Sequence, residues 1–411
     1  MKKLKPTKHS TTVLNQLCKL IPPHLITKLV AKHGDEKKAR TFSAWSRVVS
    51  LLFAHLTHSL SLNDVCDCLR HHASKLKAIR GATPPSRNAL SNANKKRNSN
   101  IMEDLFWETY KYLQSISAGF APSGRYSKYP RRFKAAIHAI DSSTIALVAN
   151  CMDWAKHRRR RAAAKLHMRL DLQSFLPSFV IVEEASHHDG TRAVELCSGL
   201  KAAEIALFDK AYVDFKHLYA LSARAVYWVL RAKDNMSYRV HRKRLKKPKG
   251  NILRDDIIFL KGKKSRNEYP QSFRRIEALV KVDGKEVKMV FITNNLQWAA
   301  QSVCDLYAAR WAIEAFFKQL KQTLQLNDFL GYSKEAIRWQ VWSALLLYLL
   351  LRFQAFLSKW PHSFNRTLTM IRGVIWDRFE LRDLLDFYGT AGGKWRRCSH
   401  PETAYLQGLA P

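Results

Sequence analysis

The sequence predicts a mixed α/β protein with helical regions at both ends, and three observations carry that reading. Residues from about 12 to 117 repeat apolar side chains at helical spacing. Between about 135 and 232 the pattern changes to short β-type runs alternating with helical ones. From about residue 296 onward, stretches of good helix formers return. A chain of 411 residues, 46% of them apolar, holds two or three domains with buried cores and is not a disordered tail.

Charge narrows the partners. Lys and Arg number 70 against 33 Asp and Glu, a formal charge of +37. Such an excess repels itself unless a polyanion neutralises it, and nucleic acid suits better than a membrane surface or a ribosome. Seven scattered cysteines and a basic start without an apolar core fit reduced thiols in a cytoplasm, with no secretory leader expected. Cys66-x-Cys68 followed by His71 and His72 matches no common zinc spacing. The uncharged apolar run 339–351 is too short to cross a bilayer and reads as a buried helix.

In chain order, residues 1–118 form a helical N-terminal domain. Leu14, Leu17, Leu20 and Ile21 open one apolar face, and residues 45–60 make a second helix. Ser61 caps a third helix, with Asp64 three residues on as an imperfect capping box. After Pro84-Pro85, Ser86 caps SRNALSNANKKR, a short polar helix resembling the second helix of a helix-turn-helix. Its Arg87, Lys95 and Lys96 are candidate DNA contacts. A polar bundle helix that touches nothing is the plain alternative. Residues 119–134, rich in Gly, Pro and basic side chains, suit a linker.

Residues 135–232 carry strands at 135–148, 165–172 and 178–185, a helix at 191–201, a strand at 204–212, a helix at 215–223 and a strand at 225–232. That order is that of an RNase H-like α/β domain. Residues 233–295 read as a β-rich basic insertion, with Arg242, Lys243 and Arg244 in a basic loop and a hairpin at Asp283-Gly284. Residues 296–333 supply the helix that completes the core. Residues 334–411 form a helical C-terminal region. A strand histidine such as His167 is more often structural than functional.

Three carboxylates stand out. Asp141 lies within a hydrophobic strand, where Asp is disfavoured, and Asp209 near the end of another. Glu314 lies in YAARWAIEAFFKQLKQ (307–322), a helix whose Tyr307, Arg310, Glu314, Lys318 and Lys321 share one arc beside an apolar face. The plain alternative there is a solvated helix whose Glu314 pairs with its neighbouring cations. Half-buried carboxylates need a cation. Three together would hold Mg²⁺, or Mn²⁺ as a substitute, through hard oxygen ligands. Two such ions serve in-line attack on a phosphodiester.

Tyr307, Arg310, Glu314 and Lys321 reproduce the Y-x₂-R-x₃-E-x₆-K signature, so the chain resembles the insertion-sequence-4 group of DDE transposases. Asp141 in AIDSST and Asp209 in LFDKAY resemble that group's first two catalytic aspartates. The resemblance implies cut-and-paste transposition by a homodimer, with the insertion's terminal inverted repeats and a target as its double-stranded DNA. It implies two Mg²⁺ ions per site, Asp141 touching both, and Asp209 and Glu314 holding one each. Tyr307, Arg310 and Lys321, with Lys318, would then grip phosphates near the cut. Arg158, Arg159, Arg160 and Lys165 are candidate backbone contacts, a solvated basic loop being the alternative. Related enzymes stack a flipped base on a tryptophan of the insertion. None lies in residues 233–295, and Trp298 follows it. The implied setting is a bacterial cytoplasm at the nucleoid, with no membrane. Two other readings stay open: a silenced DNA-binding protein on a transposase scaffold, and an RNase H-like nuclease or resolvase acting on DNA structure.

Overall fold

A computed structural model describes residues 5–34, 42–120, 133–147, 156–158, 161–184, 189–282, 284–324, 326 and 330–388. They fall into two units. A helical unit draws on Met1–Ala121, Ile145–Ala164 and Phe317–Gln407, and a sheet unit on Pro122–Thr144, Lys165–Phe316 and Gly408–Pro411.

The first helices begin where caps place them. Thr12 caps α1 (Val13–Lys19), Ser43 caps α3 (Ala44–Thr57) and Ser86 caps α6 (Arg87–Lys96), each through its side-chain oxygen. α2 (Pro23–His33) starts on proline and stops at Gly34, whose φ of 73° suits a residue without a Cβ. α4 (Leu62–His71) has the expected capping box. Asp64 N–H donates to Ser61 Oγ at 3.2 Å, and Ser61 N–H to Asp64 Oδ2 at 2.9 Å. α5 (Ala73–Lys77) and α7 (Asn100–Ile116) complete this part.

In the sheet unit, β1 (Ile137–Leu147), β3 (Arg161–Asp171) and β4 (Leu176–Glu184) come first, with β2 (Lys156–Arg158) pairing onto the start of β3. α8 (Ala193–Leu196), β5 (Ile205–Phe208), α9 (Phe215–Ala223) and β6 (Tyr227–Arg231) follow. Then come β7 (Tyr238–Lys243), β8 (Ile252–Leu260), α10 (Lys263–Glu268), β9 (Phe273–Val282) and β10 (Lys285–Thr293). The strands form one sheet in the order β2-β3-β1-β5-β6-β10-β9-β8-β7, with β4 also on β3. β1, β5 and β6 are parallel, and β10 joins β6 antiparallel. The strands of 233–295 extend the same sheet through β10. Strand β9 turns into β10 across Gly284, at φ 76°, while Asp283 lies outside the described residues. Half of the expected basic loop is β7, an exposed edge strand whose charges suit an unpaired rim. The strand expected at 204–212 ends at Phe208, and the helix expected at 191–201 shrinks to the four residues of α8.

Alternation sorts the sheet's two faces. Ile140, Phe208, Trp228 and Leu230 join one apolar core with Leu196, Leu218 and Leu221. Ala139, Leu207, Val229 and Phe291 take the opposite parity, and α11 (Ala300–Ala309) packs on β5, β6 and β10. His167 is fully buried, with Nε2 3.0 Å from Glu183 Oε1. Glu183 Oε2 also accepts from Arg192 Nε at 2.9 Å, a structural ion cluster.

The helix expected over 307–322 is broken. α11 ends at Ala309, α12 spans Ala312–Lys318, and a π-helical turn spans Gln319–Thr323. Through Arg310–Glu314 the amide bonds tighten to i−3, as in Arg310 N–H to the Tyr307 carbonyl at 3.1 Å and Glu314 N–H to that of Trp311 at 3.1 Å.

α13 (Lys334–Leu357), α14 (Phe364–Gly373) and α15 (Leu381–Phe387) belong to the helical unit. By length and composition α13 is apolar enough to cross a bilayer, yet it packs against α3, α6, α7 and α14. The first 118 residues and residues 334–411, expected as separate regions, therefore share one core. The physical reason is that a helix apolar on all sides must be surrounded. The two ends of the chain are also tied directly. Gln16 Nε2 donates to the Phe379 carbonyl at 2.7 Å and Gln16 Oε1 accepts from Leu381 N–H at 2.9 Å.

Candidate active site

Strand register brings the first two carboxylates together. β1 and β5 pair in parallel as Ile137↔Ile205 through Ile140↔Phe208, so Asp141 and Asp209 are the next residues on neighbouring strands. They share the parity of Ala139 and Leu207, the α11 side of the sheet. Adjacent strands lie about 4.8 Å apart, so register alone sets both carboxylates at one rim. Asp209 sits where β5 hands over to the turn Lys210–Tyr212.

Arg310, at the break between α11 and α12, joins the third. Its Nη1 donates to Asp141 Oδ2 at 3.0 Å and its Nη2 to Glu314 Oε1 at 2.8 Å. The Arg310 side chain is 6% exposed, that of Asp141 19% and that of Glu314 44%, so the cluster runs from interior to surface. Ser142 N–H donates to Asp141 Oδ1 at 2.8 Å. The Tyr307 hydroxyl donates to Asp209 Oδ1 at 3.3 Å, and its ring packs on Phe291 with centroids 4.8 Å apart.

Burial pushes Asp141 up to about 6 against the pull of Arg310 and the Ser142 amide, with Glu314 and Asp209 adding to the rise. Burial also pulls the Arg310 guanidinium down. Tyr307, Asp141, Glu314 and Asp209 outweigh that, so it stays above its ordinary value and charged. Burial raises Tyr307 too, which keeps its hydroxyl a donor to Asp209. Three carboxylates thus stand around one buried cation, and the rise at Asp141 comes first from burial, with the other two carboxylates adding to it. The donor set is all hard oxygen and fits a divalent ion such as Mg²⁺. Among the described residues no three acidic, His or Cys side chains stand close enough to share an ion, since the guanidinium is placed between Asp141 and Glu314.

A cavity of about 400 Å³ opens beside Asp209, lined by Lys210, Ala211, Lys233, Asp234 and Asn235. Lys210 and Lys233 were not singled out from sequence, although Lys210 adjoins Asp209 in LFDKAY. Lys233 is anchored on the Val213 carbonyl at 3.1 Å, while Lys210 is half exposed and 3.9 Å from Asp234.

The other expected contacts are dispersed. Lys318 ends α12 and Lys321 lies in the π-helical turn, both in the helical unit, and burial lowers Lys321. Lys165 is half-buried on β3, and Arg158 lies on β2. Arg159 and Arg160 lie outside the described residues. Arg242 and Lys243 are exposed on β7, whereas Arg244 turns towards Asp255 at 4.0 Å. Arg87, Lys95 and Lys96 are exposed on α6. The Trp298 ring is half-buried between Phe133 and Tyr227, with centroids 5.2 and 5.1 Å away.

A parallel sheet rim carrying two aspartates, with a glutamate and an arginine brought in by a broken helix, makes one acidic cluster around a buried cation. The family model "Transposase DDE domain" matches residues 132–350, and the chain belongs to that family. A second model, "Domain of unknown function (DUF4372)", matches residues 9–79. The chain is 25% identical to "Probable transposase for insertion sequence element IS5377" of Geobacillus stearothermophilus, covering 84% of this chain and 85% of that one. It is 29% identical to y4zB of Sinorhizobium fredii, which also carries a transposase name, over 73% of this chain and 79% of that one. To "Transposase InsG for insertion sequence element IS4" of Escherichia coli it is 23% identical, over 51% and 50%. It is an insertion-sequence transposase, a DNA-cleaving and strand-transferring enzyme.

Proposed function

We propose that this transposase acts by cut and paste, with Asp141, Asp209 and Glu314 as its catalytic carboxylates and as the ligands of two Mg²⁺ ions, Mn²⁺ substituting. The observation that carries the reading is that one buried guanidinium, Arg310, joins Asp141 to Glu314, while the β1–β5 register sets Asp209, held by the Tyr307 hydroxyl, beside Asp141. The strand order β4-β3-β1-β5-β6, with β1, β5 and β6 parallel, supports an RNase H-like core extended by a β insertion. When bound, the ions supply positive charge to the scissile phosphodiester and to the attacking and leaving oxygens. The protein's own groups do the rest. Tyr307 orients Asp209 by its hydrogen bond. The Ser142 amide fixes one oxygen of Asp141 and leaves the other for a cation. Arg310 stays charged and turns from the carboxylates to a DNA phosphate, a bidentate contact its fork suits. Lys318, Lys321 and Lys210 add phosphate contacts.

The substrates are the element's terminal inverted repeats and a target duplex, held by a homodimer whose helical N-terminal region binds the ends. Water attacks first, and the freed 3′-hydroxyl then attacks the target strand. The test is cleavage of a labelled duplex carrying the element's own terminal repeat, with Mg²⁺, Mn²⁺ or EDTA, by wild type and Glu314→Ala. Metal-dependent nicking at the repeat boundary, lost in the variant, is the expected result. Tight binding without cutting under either metal would instead make the chain a silenced DNA-binding protein.

A further inference from the structure

Within the helical unit, and with none of the three carboxylates in its lining, a cleft of about 430 Å³ opens between the start of α4, one face of α6 and the loop 330–333. Its volume falls in the range of small-ligand sites, about 300–1,000 Å³. No acidic residue lines it. Arg87, Ser91 and Lys95, four residues apart on α6, line its floor, and Asn63 stands across from them on α4. Among the described residues these four side chains make no hydrogen bond and no ion pair.

The walls, by contrast, are committed. Asn94 Nδ2 donates to the Leu330 carbonyl at 3.1 Å, and its Oδ1 accepts from Arg47 Nη2 at 2.9 Å. Ser333 Oγ donates to the Asn94 carbonyl at 2.8 Å. Gly331 permits the approach, because a Cβ there would stand 2.8 Å from Ala336 Cβ and 3.1 Å from Asn94 Nδ2. At the mouth stand two apolar side chains, Leu60 at 65% and Tyr332 at 48% exposure. The cleft is thus rigid, cationic, rich in uncommitted donors and flanked by an aromatic ring.

A phosphate alone would use the two cations and leave the aromatic rim and the amide without a role. A single nucleotide uses them all. Its base can stack on a ring, its edge can bond to amide and hydroxyl groups, and its phosphate can meet Arg87 and Lys95. We infer that this cleft receives one unstacked nucleotide of the bound DNA, with Tyr332 against the base, Asn63 and Ser91 on its edge, and Arg87 and Lys95 on its phosphates. The inference rests on the DNA-processing reading above and gives α6 a role other than lying in a major groove. Extrusion costs stacking energy, so the cleft favours a weakly paired position near a strand end.

The test is a double-mutant cycle on the full chain, read as binding by fluorescence anisotropy. The probe is a duplex bearing the element's terminal repeat, intact or with one abasic site moved along it. On intact duplex, Tyr332→Ala weakens binding about tenfold and Tyr332→Phe does not, which also reports that the fold tolerates change there. On the duplex whose abasic site falls at the extruded position, Tyr332→Ala costs nothing further. Arg87→Ala and Lys95→Ala each lower the slope of log affinity against log salt by about one on every duplex. An equal Tyr332→Ala penalty at every abasic position, or none on intact duplex, would overturn the inference. With the salt effects retained, either result would leave a backbone contact only. Absence of any binding by wild type would instead sink the DNA-processing reading, and the cleft with it.

Discussion

Two arginines in the sheet unit are both nearly inaccessible, and they are employed in opposite ways. Arg274 on β9 is saturated. Its Nε donates to Asp255 Oδ1 at 2.7 Å, its Nη2 to Asp255 Oδ2 at 2.6 Å, and its Nη1 to the Trp298 carbonyl. Its carboxylate partner is fully matched, with Arg244 also 4.0 Å from Asp255, and every nitrogen of Arg274 is used. Arg310 is split between Asp141 and Glu314, with Asp209 nearby through Tyr307 and with Nε lacking a partner among the described residues. Two anions meet one cation directly, and a third stands beyond Tyr307. The first arrangement is closed and serves the fold. The second carries a surplus of negative charge that only another cation removes, and a glutamate still half open to water through which that cation can arrive.

The largest effect should come from the surplus itself. Asp141→Asn, Asp209→Asn and Glu314→Gln should each cut cleavage of the labelled repeat by about 10³-fold or more, with folding intact by circular dichroism. Full activity in any one of them would remove that residue from the site. Next comes the closed pair. Arg274→Met strands a buried carboxylate and should cost about 3–5 kcal/mol in denaturant unfolding, most of it recovered in Arg274→Met/Asp255→Leu. Added Mn²⁺ should not restore the single variant, whereas it should raise the melting temperature of Arg310→Met. If the metal rescued both or neither, the two arginines would be alike and the contrast would collapse.

Smaller effects follow from protons. His55 in the helical unit is enclosed, with Nδ1 3.0 Å from the Leu324 carbonyl and Nε2 2.9 Å from Ser343 Oγ and 3.1 Å from the Gln340 carbonyl, and burial lowers it to about 4. A folded value below the unfolded value of about 6.5 means that its stability is whole above that pH and is lost as pH falls towards 4. His55→Gln should flatten that slope by about 2 kcal/mol across the window. Asp141 has the opposite sign. Its folded value is raised to about 6 from 3.8, so its contribution is whole below 3.8 and lost as pH rises through 6. Asp141→Asn should therefore stabilise the metal-free protein at pH 7.5 by about 1–2 kcal/mol and leave it unchanged near pH 3.5. A destabilised variant at pH 7.5 would show that Arg310 already compensates the charge in full.

Some of this was legible in the sequence because it lives in single residues. An aspartate inside a hydrophobic strand, the Ser61–Asp64 capping box and the 13-residue uncharged run of α13 each announce their surroundings locally. Other features depend on what the pattern faces. α13 is apolar all round, which shows that it is enclosed but does not name α3, α6 and α7 as its enclosure. The break at Arg310–Trp311 carries no glycine or proline. It arises where tightened amide bonds coincide with a guanidinium drawn towards Asp141. Arg242 and Lys243, expected in a basic loop, lie on β7 instead, because an exposed edge strand and a basic loop have the same composition. The cleft of Arg87 and Tyr332 joins residues more than 200 positions apart, and no local spacing records it.

The pairing of β1 with β5 is in effect a reading frame. Asp209 faces Asp141 only because Ile205–Phe208 supplies the right number of residues before it. Deleting one residue from that strand would bring Lys210 to the rim in place of Asp209, and inserting one would bring Phe208. On the proposed mechanism either change should silence the enzyme while all three carboxylates remained in the chain. An inventory of intact acidic residues therefore cannot tell a working copy of this element from a dead one. The length of a four-residue strand has to be counted as well.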